Sequence, residues 1–156
     1  MPVSRQIRRF VALPRLDRRL TCEAWLWLGL ARGAVRMLPF RWVTARCGCP
    51  GSPDAVDRQR DDDLPREVRR VTAAIQRAGR HTPWRSNCLT QAIAGKWMLR
   101  RRHIPTRLCF GVGKDDLRRF DAHAWLQIGS TTILGGHAAG RYAIVGTFAD
   151  RPRHGR

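Results

Sequence analysis

A thiol and an imidazole placed correctly in a fold make a nucleophile and its base, and this 156-residue chain offers one such pairing in Cys88 and His123. Cys88 follows Ser86 and Asn87, either of which can cap a helix, and it precedes Leu89, Ala92, Ile93, Trp97 and Met98, which share a broad apolar helical face. In the first turn of a helix, unpaired backbone N–H groups and the helix dipole favour negative charge, so a cysteine there is held toward thiolate. His123 falls in an alternating run: Phe120, Ala122, Ala124, Leu126 and Ile128 take one side, and Asp121, His123, Trp125 and Gln127 the other. The small Ala122 and Ala124 point into the core and leave room for an approaching helix. An imidazole at His123 would then take the Cys88 proton and later return it to a leaving amine. Spacing alone is a weak signal, since a buried cysteine and an incidental histidine 35 residues apart occur in many proteins.

The elements that must position this pair read as follows. Residues 16–38 place Leu16, Leu20, Trp27, Leu30, Ala34 and Leu38 near helical spacing, giving one or two packing helices stopped by Pro39. Residues 47–64 turn to Gly, Pro, Ser and Asp and include the single acidic run, Asp61-Asp62-Asp63, so a loop is predicted there. Asp63 and Pro65 open a helix over 65–78 with Val68, Val71 and Ile75 as its apolar stripe, closed by Gly79. The cysteine-bearing helix ends in Arg100-Arg101-Arg102, where cations suit the negative end of the dipole. From Leu108 the period becomes two, predicting an antiparallel hairpin of Leu108, Phe110 and Val112 against the His123 run. A third strand over 131–134, a fourth over 142–145 and a loose tail from Arg151 follow. The predicted class is α+β, a single domain of residues 1–156. A helical region over 1–82 precedes a core over 83–148, in which the cysteine helix packs on a small antiparallel sheet.

Composition narrows the function. Thirty basic against twelve acidic residues give a net charge of +18, and all but Lys96 and Lys114 of the basic residues are arginine, spread from Arg5 to Arg156. Such a spread reflects an Arg-rich composition as readily as an acidic peptide, nucleic acid or membrane surface as partner. Nucleic-acid binding is set aside, because the basic residues form no face interleaved with aromatics and no reading helix is evident. Five cysteines, an odd number in a chain that is not a small cysteine-dense scaffold, fit a reducing cytoplasm better than a disulfide framework. Cys47-Gly-Cys49 lacks zinc-knuckle spacing, so no metal is expected. The apolar run from Ala24 to Ala31 is too short for a transmembrane segment. The sequence shows no internal repeat and no Gly-rich phosphate loop. Trp84 and Trp125 suit core or rim packing more than a peptide groove, Cys109 reads as inert, and Arg107 and Arg141 read as a solvated face.

Four blocks carry a resemblance: Arg85-Ser86-Asn87-Cys88-Leu89, Arg100-Arg101-Arg102-His103-Ile104-Pro105, Arg107-Leu108-Cys109-Phe110-Gly111-Val112-Gly113-Lys114 and Phe120-Asp121-Ala122-His123-Ala124-Trp125. In order and spacing they resemble the transglutaminase-like B protein of lasso-peptide biosynthesis in its standalone leader-peptidase form. The N-terminal helices up to Leu38-Pro39-Phe40 are similar too, so the resemblance covers nearly the whole chain.

The resemblance implies a cysteine peptidase that cuts a precursor at the leader–core junction, with Cys88 as nucleophile and His123 as base. It implies a partner cyclase, asparagine-synthetase-like, that closes the macrolactam, and an ATP requirement for which the sequence offers no nucleotide motif. The first eighty residues lack the strand-rich pattern of a leader-recognition domain, so a separate recognition protein is implied. The family's third catalytic residue, an Asp after the next strand, has no counterpart in Leu134-Gly135-Gly136-His137. The orienting role is open between Asp121, Gln127, His137 and a backbone carbonyl. That gap also admits a second expectation, a catalytically inactive docking module for precursor or partner proteins. An amine in place of water at the acyl-enzyme is a third.

Overall fold

The computed structural model describes residues 10–51, 64–82, 87–114 and 119–150. Prolines set the helix starts in its N-terminal part. Pro14, Pro39 and Pro65 stand directly before α1 (Arg15–Met37), α2 (Phe40–Ala45) and α3 (Arg66–Gly79). The ring fixes φ near the value each chain entry needs, and the missing N–H is one that a helix start would leave unpaired. Asp63, expected to help open α3, lies outside the described residues.

α3 buries the predicted Val68, Val71 and Ile75, together with Ala74 and Ala78. α1 departs from expectation. It is one helix, but its buried stripe is Leu20, Thr21, Ala24, Leu28 and Ala31, while Leu16, Leu30 and Leu38 of the predicted stripe stay exposed. The physical reason is that α1 is apolar nearly all round in its middle. Small Ala24 and Ala31 let α3 and α4 approach closely, so the bulkier face is turned away.

α4 (Cys88–Arg101) is the element on which the rest is hung. It packs against α1 and α3 on one side and against the sheet on the other. A Cβ at Gly95 would run into Leu134, Leu126 and Ile75, so only a bare backbone lets α4 sit this close. Lys96, in the middle of α4, has a fully buried side chain, which the sequence reading did not anticipate. Its Nζ donates to the Thr106 carbonyl at 2.8 Å and to Asp150 Oδ2 at 3.0 Å, and Asp150 also accepts from the Thr106 backbone N–H at 3.1 Å. Burial pushes the Lys96 pKa down while the Asp150 charge opposes it. The helix ends in a Schellman motif: His103, at φ 57°, donates to Arg100 O, and Ile104 N–H donates to Leu99 O at 3.1 Å. Arg102 is held by Glu23 at 2.7 Å and by Glu67 at 3.2 Å.

The sheet has five antiparallel strands in the order β1-β5-β2-β3-β4. β2 (Arg107–Lys114) and β3 (Phe120–Ile128) form the predicted hairpin, pairing Leu108 with Leu126 and Gly111 with His123. β4 (Thr131–Leu134) matches its predicted range. Two expectations are corrected. The stretch over 47–64 opens with β1 (Cys49–Gly51), which pairs with β5 because Gly48, at φ 116°, lets the backbone pass directly against Ala149. The fourth strand, expected over 142–145, runs as β5 (Ala143–Ala149), since it gains partners on both sides, β2 and β1. Helices plus this antiparallel sheet make an α+β fold. None of the described helices is long and apolar enough to cross a membrane.

Candidate active site

Cys88 is the first residue of α4 and is half-buried. Asn87 caps the helix: its Oδ1 accepts from Thr90 N at 3.0 Å and from Thr90 Oγ1 at 2.6 Å. Thr90 is only 2% exposed, so the cap is held from beneath and the start of the helix, with Cys88 as its first residue, is fixed by two half-buried bonds. Ser86, the other candidate cap, lies outside the described residues.

His123 sits in the middle of β3, across the ladder from Gly111. Its Nε2 is 2.8 Å from the backbone carbonyl of Gly135. A carbonyl oxygen only accepts, so Nε2 must carry the proton, and the neutral ring then keeps its lone pair on Nδ1. Gly135 has φ +77°, and a Cβ there would meet the Ala124 carbonyl at 2.7 Å and Trp125 Cβ at 3.0 Å. Only glycine takes this position without strain.

Among the described residues, a backbone carbonyl, that of Gly135, is the orienting candidate in contact with His123. Asp121 accepts instead from the Tyr142 hydroxyl at 2.6 Å. Gln127 accepts from Cys109 Sγ at 3.3 Å and donates to Thr132 Oγ1 at 3.3 Å. The His137 side chain is not among those described.

Tyr142 is the residue the sequence reading missed. Its ring stacks on His123 with centroids 5.0 Å apart and planes 24° apart, and the Trp125 ring also stacks on His123, with centroids 6.0 Å apart. The bond to Asp121 is the main cause raising the Tyr142 phenol above its ordinary pKa. Burial and the Asp121 charge add to it, while the Arg141 charge opposes it. A signal for it was present in β2: a Cβ at Gly111 would meet Tyr142 at 2.7 Å, and one at Gly113 would meet it at 2.9 Å. Alternate glycines on one strand face mark where a large ring crosses.

Trp125 packs inside the fold, as expected. Trp125 is 1% exposed and its Nε1 has no hydrogen-bond partner among the described residues. Aromatic rings crossing the bare glycines close this side of the sheet. Ala122, expected in the core, is exposed, because it lies toward the hairpin end. Cys109 and Cys47 are fully buried, and burial pushes each thiol up to about 11, which keeps both protonated at neutral pH.

The glycines also bear on ATP. Gly111, Gly113 and Gly135 are each filled by a neighbouring side chain or carbonyl and so form no phosphate cradle. These residues do not fit a nucleotide, and no step below runs through one. Among the described residues, no three His, Cys, Asp or Glu gather as a metal site.

Comparison with protein families matches residues 31–147 to the transglutaminase-like superfamily, a stretch that includes Cys88, His123, Gly135 and Tyr142. No curated protein and no solved structure matches the chain.

Proposed function

Because the chain belongs to the transglutaminase-like superfamily, we propose that it is a cysteine peptidase that removes the leader from a lasso-peptide precursor before a partner cyclase closes the macrolactam. The observation that carries this reading is the bond from His123 Nε2 to the Gly135 carbonyl, which leaves Nδ1 as the basic nitrogen on a strand packed against the helix that begins at Cys88.

In the proposed reaction, His123 Nδ1 takes the Cys88 proton and the thiolate attacks the scissile carbonyl carbon. The backbone N–H of Cys88 at the helix start receives the developing oxyanion. The C–N bond then breaks as the imidazolium gives its proton to the leaving amine, and a thioester remains on Cys88. Water, deprotonated by His123, attacks the thioester, the C–S bond breaks and the thiolate is restored. The Gly135 carbonyl fixes the tautomer and ring angle without adding a negative charge. It therefore orients His123 but stabilises the imidazolium less than a carboxylate would. The enzyme works in the cytoplasm with a separate leader-recognition protein, which brings the precursor to the site.

A second reading, an inactive docking module, is favoured by the uncharged partner of His123. Alkylation separates the two. A poised Cys88 reacts with iodoacetamide at neutral pH much faster than the exposed Cys22, whereas a dead site reacts no faster than that ordinary exposed thiol. The primary test is mass-spectrometric cleavage of a lasso precursor by the protein with its recognition partner. Wild type should cut at one junction, while Cys88→Ala and His123→Ala should be at least about 1,000-fold slower with unchanged melting. A folded, partner-bound wild type that leaves the precursor intact sinks the peptidase reading.

A further inference from the structure

At the end of α4 remote from Cys88, a groove of about 830 Å³ opens between α1, α2 and α4. Trp27 and Trp97 meet edge to face at 5.7 Å in its wall, and Leu30 and Trp42 line it while remaining 50% and 57% exposed. Contiguous apolar surface of this kind on a monomer marks a contact site more often than chance.

Its rim is cationic. Arg46, Arg100 and Arg101 all line it, with Arg101 stacked over Trp27 at 5.8 Å and Arg100 bonded to the Arg46 carbonyl at 2.9 Å. Arg102 is paired with Glu23 at 2.7 Å and with Glu67 at 3.2 Å, and the Glu23 carboxylate also bonds Trp27 and lies in the field of Arg101, so one carboxylate borders the groove although none lines it among the described residues.

We propose that this groove docks an amphipathic helical segment of a partner polypeptide, one that carries acidic residues beside its apolar anchors. The recess sets the shape: two tryptophans lie in a concave wall, where a helix can bury Leu- or Phe-type anchors, while a flat lipid surface would meet only protruding side chains. The rim sets the charge: two arginines on α4 and one after α2 answer carboxylates flanking those anchors. Along α4 the groove runs from Trp97 to Arg101, about 14 to 20 Å from Cys88 at 1.5 Å per residue, and is a docking site separate from the proposed bond-breaking one.

The test uses the full chain and a fluorescein-labelled peptide of about 18 residues, about five turns, with Leu and Phe on one helical face and Glu on its flanks. A scrambled isomer and phosphatidylglycerol vesicles serve as comparators. Anisotropy should show binding of the amphipathic peptide, at least about tenfold weaker binding of the scramble, and a similar loss in Trp42→Ala and, separately, Arg101→Glu. Both substitutions are at the surface, and circular dichroism should show each variant folded. Equal binding of peptide and scramble overturns the proposal in favour of simple charge attraction. Binding of vesicles but not peptide through the same residues overturns it in favour of a lipid surface. A dimer that Trp42→Ala dissociates overturns it in favour of self-association.

Discussion

The two ends of α4 are built on opposite plans. At its N-terminus stands the half-buried Asn87–Thr90 cap, and the sheet it packs on carries glycines with no room for a methyl group and His123 stacked with Tyr142. At its C-terminus three arginines fan out, one neutralised inside the fold and two beside an open apolar groove. Between them Lys96 is locked to Asp150. The difference teaches that precision and exposure are distributed along one rigid rod. The end that bears Cys88, proposed to do chemistry, meets tightly fitted backbone, and the end proposed to meet a partner keeps large side chains outward.

The sharpest way to break that contrast is Gly135→Ala. The added Cβ would press on Ala124 O and Trp125 in a left-handed backbone, moving the carbonyl that holds His123. Cleavage should fall by about 100-fold, with a loss of about 2 kcal/mol in urea unfolding. If activity survives intact, the carbonyl does not orient the base. Asp150→Ala removes the counter-charge of a fully buried lysine and should cost about 3 kcal/mol, measured by the same titration. A loss below half of that would mean Lys96 finds another partner.

At the other end the effects should shrink. Arg102 bonds Glu23 and holds its carboxyl below the ordinary value of 4.5. A carboxyl lowered on folding stabilises the protein above its unfolded pKa, and that contribution disappears as pH falls through 4.5 and on toward the folded value. Both groups are partly exposed, so about 1 kcal/mol should be lost between neutral pH and strong acid. Glu23→Gln should remove that part of the acid dependence. The smallest effect is a gain: His103→Gly relieves a positive φ at an exposed helix end and should raise stability by about 0.5–1 kcal/mol, read from the melting temperature.

How much of this was legible in the sequence follows from which atoms carry it. α3, α4 and the β2–β3 hairpin were readable because burial imposes a period on side chains, and the alternation located the face of His123. The partner of His123 was not readable, because a carbonyl belongs to every residue and no letter announces it. Only the glycine that permits it leaves a trace. Tyr142 was missed because β5 pairs with β2 rather than with its chain neighbour β4, so its approach to His123 is a product of strand order. β1 was missed because Cys-Pro-Gly reads as a turn and becomes a strand only through the partner beside it. The orientation of α1 was misjudged where two apolar stripes compete, and there the small residues rather than the large ones marked the packed side.

The order of the strands also decides how the edges of the sheet are covered. Among the described residues its edge strands, β1 and β4, are its shortest, at three and four residues, and β1 has Pro50 at its centre with no N–H to offer. Each covers only part of its neighbour, β1 pairing with 147–149 of β5 and β4 with 126–128 of β3. An added strand meets a short edge on either flank, one of them broken by proline, and so has little length of β1 or β4 to extend.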